Sequence, residues 1–167
     1  WQHYLHDGDL DHLRTTAWPL LVGAFNGFAR MLEPTDDGRL MLPVSVSPEF
    51  GEGAPGTWGQ DASFQLAAIH ALARALPSAA SALGEAVDAR WADVAARLPA
   101  ASLARVTPGP WDDVDAPPRY RVALWHGQDL PISHRHHSHL AGIWPFATLD
   151  PLDASTRPLV DETLRHW

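Results

Sequence analysis

Four histidines and one arginine occupy six consecutive positions, from His134 to His139, in the stretch ISHRHHSHLAGIWP. Imidazole nitrogens bind zinc or copper, and they also exchange hydrogen bonds with polar ligands. Metal sites of this type usually add a carboxylate, yet the nearest one is Asp129. The fixed positive charge of Arg135 between two of the histidines also repels a cation. The cluster therefore favours a neutral polyol over a metal, and a metal site is the alternative.

The same residues also allow a purely structural role. Loop histidines hydrogen-bond backbone carbonyls and cap helices. Ser138 is well placed to be the N-cap of a short helix that begins at His139. On this interpretation the cluster only holds a loop in shape.

Glu49, in the stretch VSVSPEFGEG, is the second candidate for chemistry. It follows Ser47 and Pro48, and proline stiffens the loop that presents it. A carboxylic acid held in dry surroundings keeps its proton at neutral pH and acts as a general acid. Glu52, three positions later, is expected to be a solvated surface charge.

Composition narrows the class of protein. The 167 residues are 46% hydrophobic and 19% charged, as in a globular domain or one large piece of a bigger one. The net charge is -8 and every basic residue is an arginine, with no basic run, which excludes a nucleic-acid partner. With no cysteine, disulfides and thiolate metal sites are excluded.

The two ends of the sequence look internal to a longer polypeptide. The sequence opens on Trp1 without a signal peptide, and it closes on LVDETLRHW, a helical pattern that has no terminating glycine or proline. No apolar run approaches the roughly 20 residues of a membrane span. We therefore expect a segment of a larger chain with no membrane-spanning helix.

The hydrophobic pattern predicts helices in pairs. Two helices meet at Asp7-Gly8, and Asp9 caps the second of them. After a loop over residues 34–59 with a short β-like run, helix returns with Asp61 as its N-cap. A tight link at Pro77-Ser78 then predicts two antiparallel helices.

The second half of the sequence is richer in loops. Residues 99–138 hold a short predicted strand from Tyr120 to Trp125, and a last helix is predicted from about Ala154. Helix pairs separated by long polar loops are typical of a helical toroid. We therefore predict a mainly all-α fold, part of a toroid with long loops and short β segments, in one domain over residues 1–167.

Four stretches together resemble a known family. In order they are HYLHDGDLDHLRTTAWPLL, SVSPE, QDASFQLAAIHAL and HRHHSHLAGIWP, and they cover nearly the whole sequence. This order resembles the catalytic region of glycoside hydrolase family 95, which comprises α-L-fucosidases and their relatives. The resemblance implies an (α/α)6 barrel, of which this chain would be an internal part.

The resemblance also implies roles for single residues. Glu49 matches the general acid that protonates the leaving glycosidic oxygen. Arg135 and His136 match an adjacent pair that contacts the sugar. His134 and Ser138 match the surrounding signature.

His139, in the same signature, is expected to hold the loop in shape, and Asp61 to act as an N-cap rather than in catalysis. Trp125 is expected to contact the sugar, because polar loop residues surround it. Trp144 is expected to belong to the core. Trp18 and Trp91 lie on helical faces and are read as core as well.

The resemblance implies inverting hydrolysis without a metal or another cofactor. In this family the attacking water is handled by asparagines upstream and an aspartate downstream of the matching region, so the chain alone is expected to be inactive. The implied partners are an oligosaccharide or glycoconjugate substrate and the remainder of the longer chain, with no nucleic acid and no membrane. Export, or a periplasmic location in a bacterium, is one option for the compartment.

Two positions depart from the family pattern. Phe50 stands where the family usually has Asn, and Leu124 stands where a Glu is expected before Trp125. The sugar could therefore be L-fucose, L-galactose or another deoxy sugar. Two other classes stay open, a toroid polysaccharide lyase with a histidine base and a non-catalytic module that binds sugar or metal.

Overall fold

The chain is mainly helical in this computed structural model, which describes residues 1–48, 50–111, 113, 115–132 and 134–166, with the backbone alone at 52, 53 and 55. The predicted class, mainly α with short β segments, is confirmed. The helices are α1 (Gln2–Asp7), α2 (Leu10–His12), α3 (Trp18–Ala29), α4 (Ser63–Leu83), α5 (Ala89–Arg97) and α6 (Arg157–His166), with a π-helical segment at Leu13–Ala17.

The short strands form three antiparallel pairs, β1–β2, β3–β4 and β5–β6. They are β1 (Glu33–Pro34), β2 (Leu40–Met41), β3 (Ser45–Val46), β4 (Trp58–Gly59), β5 (Leu103–Arg105) and β6 (Tyr120–Val122). Short 3-10 helices occupy Phe50–Gly53, Pro55–Thr57 and Ser138–Leu140. The strand predicted from Tyr120 thus ends at Val122.

The first helix boundary follows the sequence signals. Gly8 ends α1 in the left-handed conformation, with φ 72°, and the Asp9 carboxylate accepts a hydrogen bond of 2.9 Å from the His12 N–H. Glycine adopts positive φ without a Cβ penalty, and Asp is a favoured N-cap. The predicted break and cap are confirmed.

The predicted helix pair around Pro77 is wrong. A single helix, α4, runs through Pro77 to Leu83. Proline removes one backbone hydrogen-bond donor, but Leu76, Ala79 and Ala80 beside it are fully buried. The free energy gained by burying these side chains in a continuous helix exceeds the cost of the lost hydrogen bond. The helix ends instead at Gly84, with φ 71°.

The next helix, α5, begins after Asp88, whose carboxylate accepts a hydrogen bond of 2.9 Å from the Arg90 N–H.

The last helix, α6, begins later than predicted. The Asp153 carboxylate accepts from the Ser155 N–H at 2.7 Å, and this turn delays α6 to Arg157.

α4 is long and apolar enough to cross a membrane by length and composition, with a mean hydropathy of 1.3 over its best 18-residue window. The sequence analysis expected no such segment. Half of that window is buried inside the structure, and a core helix passes the same test.

The chain divides into two compact units, unit 1 (residues 1–41 and 68–98) and unit 2 (residues 42–67 and 99–167). In unit 1 a cluster of Leu13, Ala17, Ala79 and Leu83 forms core, and Trp18 packs against it. Trp91, 4% exposed, meets Trp18 edge-to-face at 6.1 Å between ring centroids. Trp91 is therefore core as predicted, whereas Trp18 is only partly buried against the core.

Unit 2 contains β3, β4 and the segment after β6, among which the described candidate site residues lie. Val122, Leu149 and Val160 form one buried cluster in this unit. The Thr163 hydroxyl of α6 accepts a hydrogen bond of 2.9 Å from the Val122 N–H, which ties α6 to the strand. The single-domain assignment of residues 1–167 stays a prediction.

Candidate functional site

The described predicted site residues, Trp125, His134, Arg135 and His136, belong to unit 2. Glu49 itself lies outside the described residues. Its neighbours emerge from β3, where Ser45 pairs with Gly59 and Val46 with Trp58 of β4. Ser47 and Pro48 therefore begin the loop that this strand pair closes.

Ser138 joins the histidine cluster to that loop. Its hydroxyl is hydrogen-bonded to the hydroxyl of Ser47, and both side chains are buried. The prediction that Ser138 is an N-cap is wrong, because the cap position falls on His137 and the hydroxyl is engaged by Ser47 instead. Two stretches separated by 91 positions in sequence thus meet.

Three residues of the cluster form a compact turn. The His136 N–H donates to Nδ1 of His134 at 3.1 Å, and Nε of Arg135 donates to Nε2 of His136 at 3.3 Å. The Arg135 side chain is exposed, whereas His134 and His136 are half-buried. The predicted sugar-contacting pair therefore lies on one turn, and His134 supports its backbone.

A row of aromatic rings lies behind this turn. Phe50 meets Trp125 edge-to-face at 5.4 Å between centroids and meets the His134 ring at 5.9 Å. Trp125 is 6% exposed and packs in an apolar cluster with Ala62 and Leu124. Its indole is therefore packed as a core side chain rather than presented as an open platform.

The two departures from the family pattern come together in this cluster. Leu124 is a buried member and Phe50 is a half-buried residue packed against it. Close packing extends to β4, where a Cβ on Gly59 would lie 2.0 Å from Cδ1 of Trp125. An apolar wall thus stands where polar side chains were expected.

His139 is buried in the 3-10 turn and is 3% exposed. Burial, reinforced by the nearby imidazoles of His137 and His166, lowers its pKa to about 4. Its Nδ1 is the buried side-chain polar atom for which the described part of the chain offers no hydrogen-bond partner. His139 is therefore a neutral, embedded side chain at pH 7.

Asp61 does not cap α4 as predicted. It is 5% exposed, has φ 56°, and its carboxylate accepts from the Leu42 N–H at 2.6 Å and from Nε2 of Gln60 at 2.9 Å. The Ala62 N–H at the start of α4 donates to the hydroxyl of Ser45 at 2.7 Å. Asp61 thus fastens the segment before β3 to the helix start.

Asp129, the carboxylate closest in sequence to the histidines, is engaged elsewhere. Nε of Arg121 donates to it at 3.0 Å. Burial alone would raise the pKa of Asp129, but the hydrogen bonds from Arg121 and the Leu130 N–H hold it below its usual value. Within the described ranges, no three His, Asp or Glu side chains are grouped to hold a metal.

The remaining surface of unit 2 adds two observations. Trp144 is 80% exposed in this chain, so the prediction that it belongs to the core is wrong. A groove of about 720 Å³ between Tyr120 and Arg157 has none of the predicted site residues in its described lining.

Sequence analysis missed the hydrogen-bond partners of the buried serines in unit 2. Ser63 donates to the Ala123 carbonyl at 2.7 Å and accepts from the Ser102 N–H at 3.0 Å. Ser45 and Ser47 make the contacts described above. A single serine carries no periodic signal, and these partners are distant in sequence, so only the fold reveals the pairs.

Comparison with known proteins gives two matches. The model of the Glycosyl hydrolase family 95 catalytic domain matches residues 1–164. The Alpha-L-fucosidase 2 of Arabidopsis thaliana is 27% identical over 153 residues, which cover 89% of this chain and 17% of that protein.

Proposed function

Since the chain belongs to glycosyl hydrolase family 95, we propose that the polypeptide carrying it releases α-linked L-fucose or a related sugar from an oligosaccharide or glycoconjugate. The observation that carries the proposal is the hydrogen bond between Ser47 and Ser138. It brings the loop leading into Glu49 beside the turn that holds Arg135 and His136.

Glu49 is the general acid of this proposal. Water attacks the anomeric carbon from the face opposite Glu49, the bond to the leaving oxygen breaks, and Glu49 gives that oxygen its proton. The configuration at the anomeric carbon inverts. The base that takes the proton of the water belongs to the remainder of the polypeptide, so the 167-residue chain alone is expected to release no sugar.

Arg135 and His136 hold the sugar, with His134 and Trp125 behind them. An exposed guanidinium and a half-buried imidazole on one turn supply the directional donors that a polyol needs. The half-buried ring of Phe50, packed on the buried Trp125, supplies apolar surface next to that turn. A deoxy sugar such as L-fucose, which carries a methyl group, suits this combination of polar and apolar surface.

The mainly helical fold supports an (α/α)6 toroid for the whole catalytic domain, with this chain as part of it. The site residues lie in loops between helices: the loop after β3 precedes α4, and the histidine turn precedes α6. Loops carried by a helical scaffold commonly bear binding and catalytic residues.

The test is the substitution Glu49→Gln in the full-length polypeptide. On a natural fucosyl oligosaccharide we expect kcat to fall about 10²–10⁴-fold, the usual contribution of a general acid. On an aryl fucoside with an activated leaving group the loss should be much smaller, because that oxygen departs with little protonation. Proton NMR of the first-formed sugar should show the inverted anomer.

Glu52→Gln is the matched control, since it removes a carboxyl group three positions away. It should keep wild-type turnover on both substrates. Normal turnover of the oligosaccharide by Glu49→Gln would show that another residue is the acid, and release of the retained anomer would contradict inversion.

A further inference from the structure

The residues on either side of Glu49 both contact the histidine turn. Ser47, two positions before it, is hydrogen-bonded to Ser138 through the side-chain hydroxyls. Phe50, directly after it, places its ring 5.9 Å from that of His134. The segment is therefore attached to the turn at two points, one polar and one aromatic.

The polar attachment is buried. Ser47 is 5% exposed and Ser138 is 7% exposed. A buried hydroxyl left without its partner keeps the full cost of its desolvation, so each serine holds the other in place. Because 91 positions separate the two serines in sequence, their hydrogen bond joins two distant segments of the chain.

The aromatic attachment is held from behind. Trp125 packs edge-to-face on Phe50 at 5.4 Å, and Trp125 itself is almost fully buried. Aromatic pairs in this arrangement add to the free energy gained by burial alone. Phe50 also meets His134, whose Nδ1 accepts from the His136 N–H at 3.1 Å.

We propose that Ser47–Ser138 and Phe50–His134 form a two-point brace that sets the distance between the Glu49 segment and the Arg135–His136 turn. Ser47, Ser138 and Phe50 are then positioning residues for the reaction. This inference rests on the proposed function, in which Glu49 protonates a sugar that Arg135 and His136 hold. A displacement of about 1 Å in such a geometry costs as much as 10²-fold in rate.

Hydrogen–deuterium exchange tests the brace without requiring activity. In the full-length polypeptide, Ser47→Ala should speed amide exchange in residues 134–138 up to about tenfold, and Ser138→Ala should do the same in residues 45–51, as expected for one lost buried hydrogen bond. Phe50→Leu should also speed exchange at 134–138, whereas Phe50→Tyr keeps the ring and should not.

Ser63→Ala is the matched control. It also removes a buried serine hydroxyl of unit 2, the one bonded to the Ala123 carbonyl at 2.7 Å. It should leave exchange at 134–138 unchanged. A purely local effect of each serine, with no change in the partner segment, would overturn the brace.

Kinetics of the same variants separate positioning from mere stability. Ser47→Ala and Ser138→Ala should each lower kcat on a fucosyl oligosaccharide about tenfold, and the double variant should be no worse than either single one. The activated aryl fucoside should be affected much less. Equal losses on both substrates, or losses that multiply in the double variant, would overturn the positioning role.

The two measurements also separate this inference from the proposed function. Suppose that the serine variants show coupled exchange but the wild-type polypeptide hydrolyses no fucoside. That result would contradict the proposed function and, with it, the positioning role. An active wild type with uncoupled exchange would overturn the brace and leave the hydrolase assignment standing.

Discussion

The carboxylate of Asp61 accepts a hydrogen bond of 2.6 Å from the backbone N–H of Leu42, and the Asp61 N–H donates back to the Leu42 carbonyl at 2.9 Å. Both residues are buried, Leu42 completely. This reciprocal pair fixes the start of the segment that leads through β3 to Ser47. It also explains how Asp61 keeps φ at 56°, since Asp tolerates the left-handed region better than most residues.

Replacing Asp61 should therefore destabilise the fold. Asp61→Ala leaves the buried Leu42 N–H without its partner, and it puts a residue with no polar side chain at positive φ. We expect a loss of about 1.5–3 kcal/mol in the free energy of unfolding. Asp61→Asn keeps an acceptor and tolerates the backbone, so it should lose less.

Urea unfolding of the full-length polypeptide, followed by tryptophan fluorescence, measures this loss. Asp36→Ala, at an exposed aspartate, is the control and should stay within experimental error of wild type. Equal stability of Asp61→Ala and Asp36→Ala would remove the structural role assigned to Asp61.

Gly59 should tolerate no side chain. A Cβ there would meet three atoms of the Trp125 indole, at 2.0, 2.3 and 2.4 Å. Gly59→Ala must then push Trp125 out of its cluster, and overpacking of this kind costs about 1–3 kcal/mol. Because Phe50 contacts both Trp125 and His134, the displacement of Trp125 should also shift the histidine turn.

Gly56→Ala is the control for Gly59→Ala, because a Cβ at Gly56 meets no atom within 4 Å. Thermal unfolding should show a lower midpoint for Gly59→Ala and little change for Gly56→Ala. A Gly59→Ala variant with wild-type stability would mean that Trp125 does not pack on β4.

Removing the side chains of Arg135 and His136 should weaken sugar binding. Arg135→Ala and His136→Ala should each raise KM on an aryl fucoside about tenfold or more, the effect of losing one charged or polar contact of 1.5 kcal/mol or above. His137→Ala changes an exposed neighbour and should keep KM near wild type.

Metal analysis of the same proteins addresses the alternative of a histidine metal site. We expect dialysed wild-type polypeptide to carry no stoichiometric zinc or copper. Bound zinc that disappears in His136→Ala would show that the cluster is a metal site and that the sugar-contact assignment is mistaken.

Local signals in the sequence predict single helix ends well, and contacts between distant segments poorly. Gly8 and Asp9 act through their own backbone or over three residues at most, so the sequence alone reveals the helix boundary there. The prediction made from Pro77 is wrong, because the burial of neighbouring side chains stabilises the helix by more than the missing backbone donor destabilises it.

The same contrast between local signals and long-range contacts applies to the candidate site. The resemblance of short motifs identifies the histidine turn and Glu49 as candidates, but the partner of each serine depends on the fold. Ser138 has the sequence context of an N-cap and instead bonds to Ser47. Asp61 precedes a helix in the same way, yet its carboxylate accepts a hydrogen bond from the N–H of Leu42, 19 positions away in sequence.

His139 should make the stability of the fold depend on pH between about 6.5 and 4. Burial lowers its pKa from 6.5 to about 4 in the folded protein, so the unfolded chain binds a proton first as the pH falls. Stability due to neutral His139 is complete above pH 6.5, is lost as the pH falls toward 4, and changes no further below that value. The loss is of the order of 3 kcal/mol.

The measurement is urea unfolding of the full-length polypeptide at several pH values from 7 to 4, compared with His139→Gln. Glutamine does not titrate, so the variant should show a shallower fall in the free energy of unfolding across this range. His6→Gln removes an exposed histidine and controls for the loss of an imidazole as such. The same slope in wild type and His139→Gln would mean that His139 titrates alike in the folded and unfolded chain, which its burial at 3% exposure argues against.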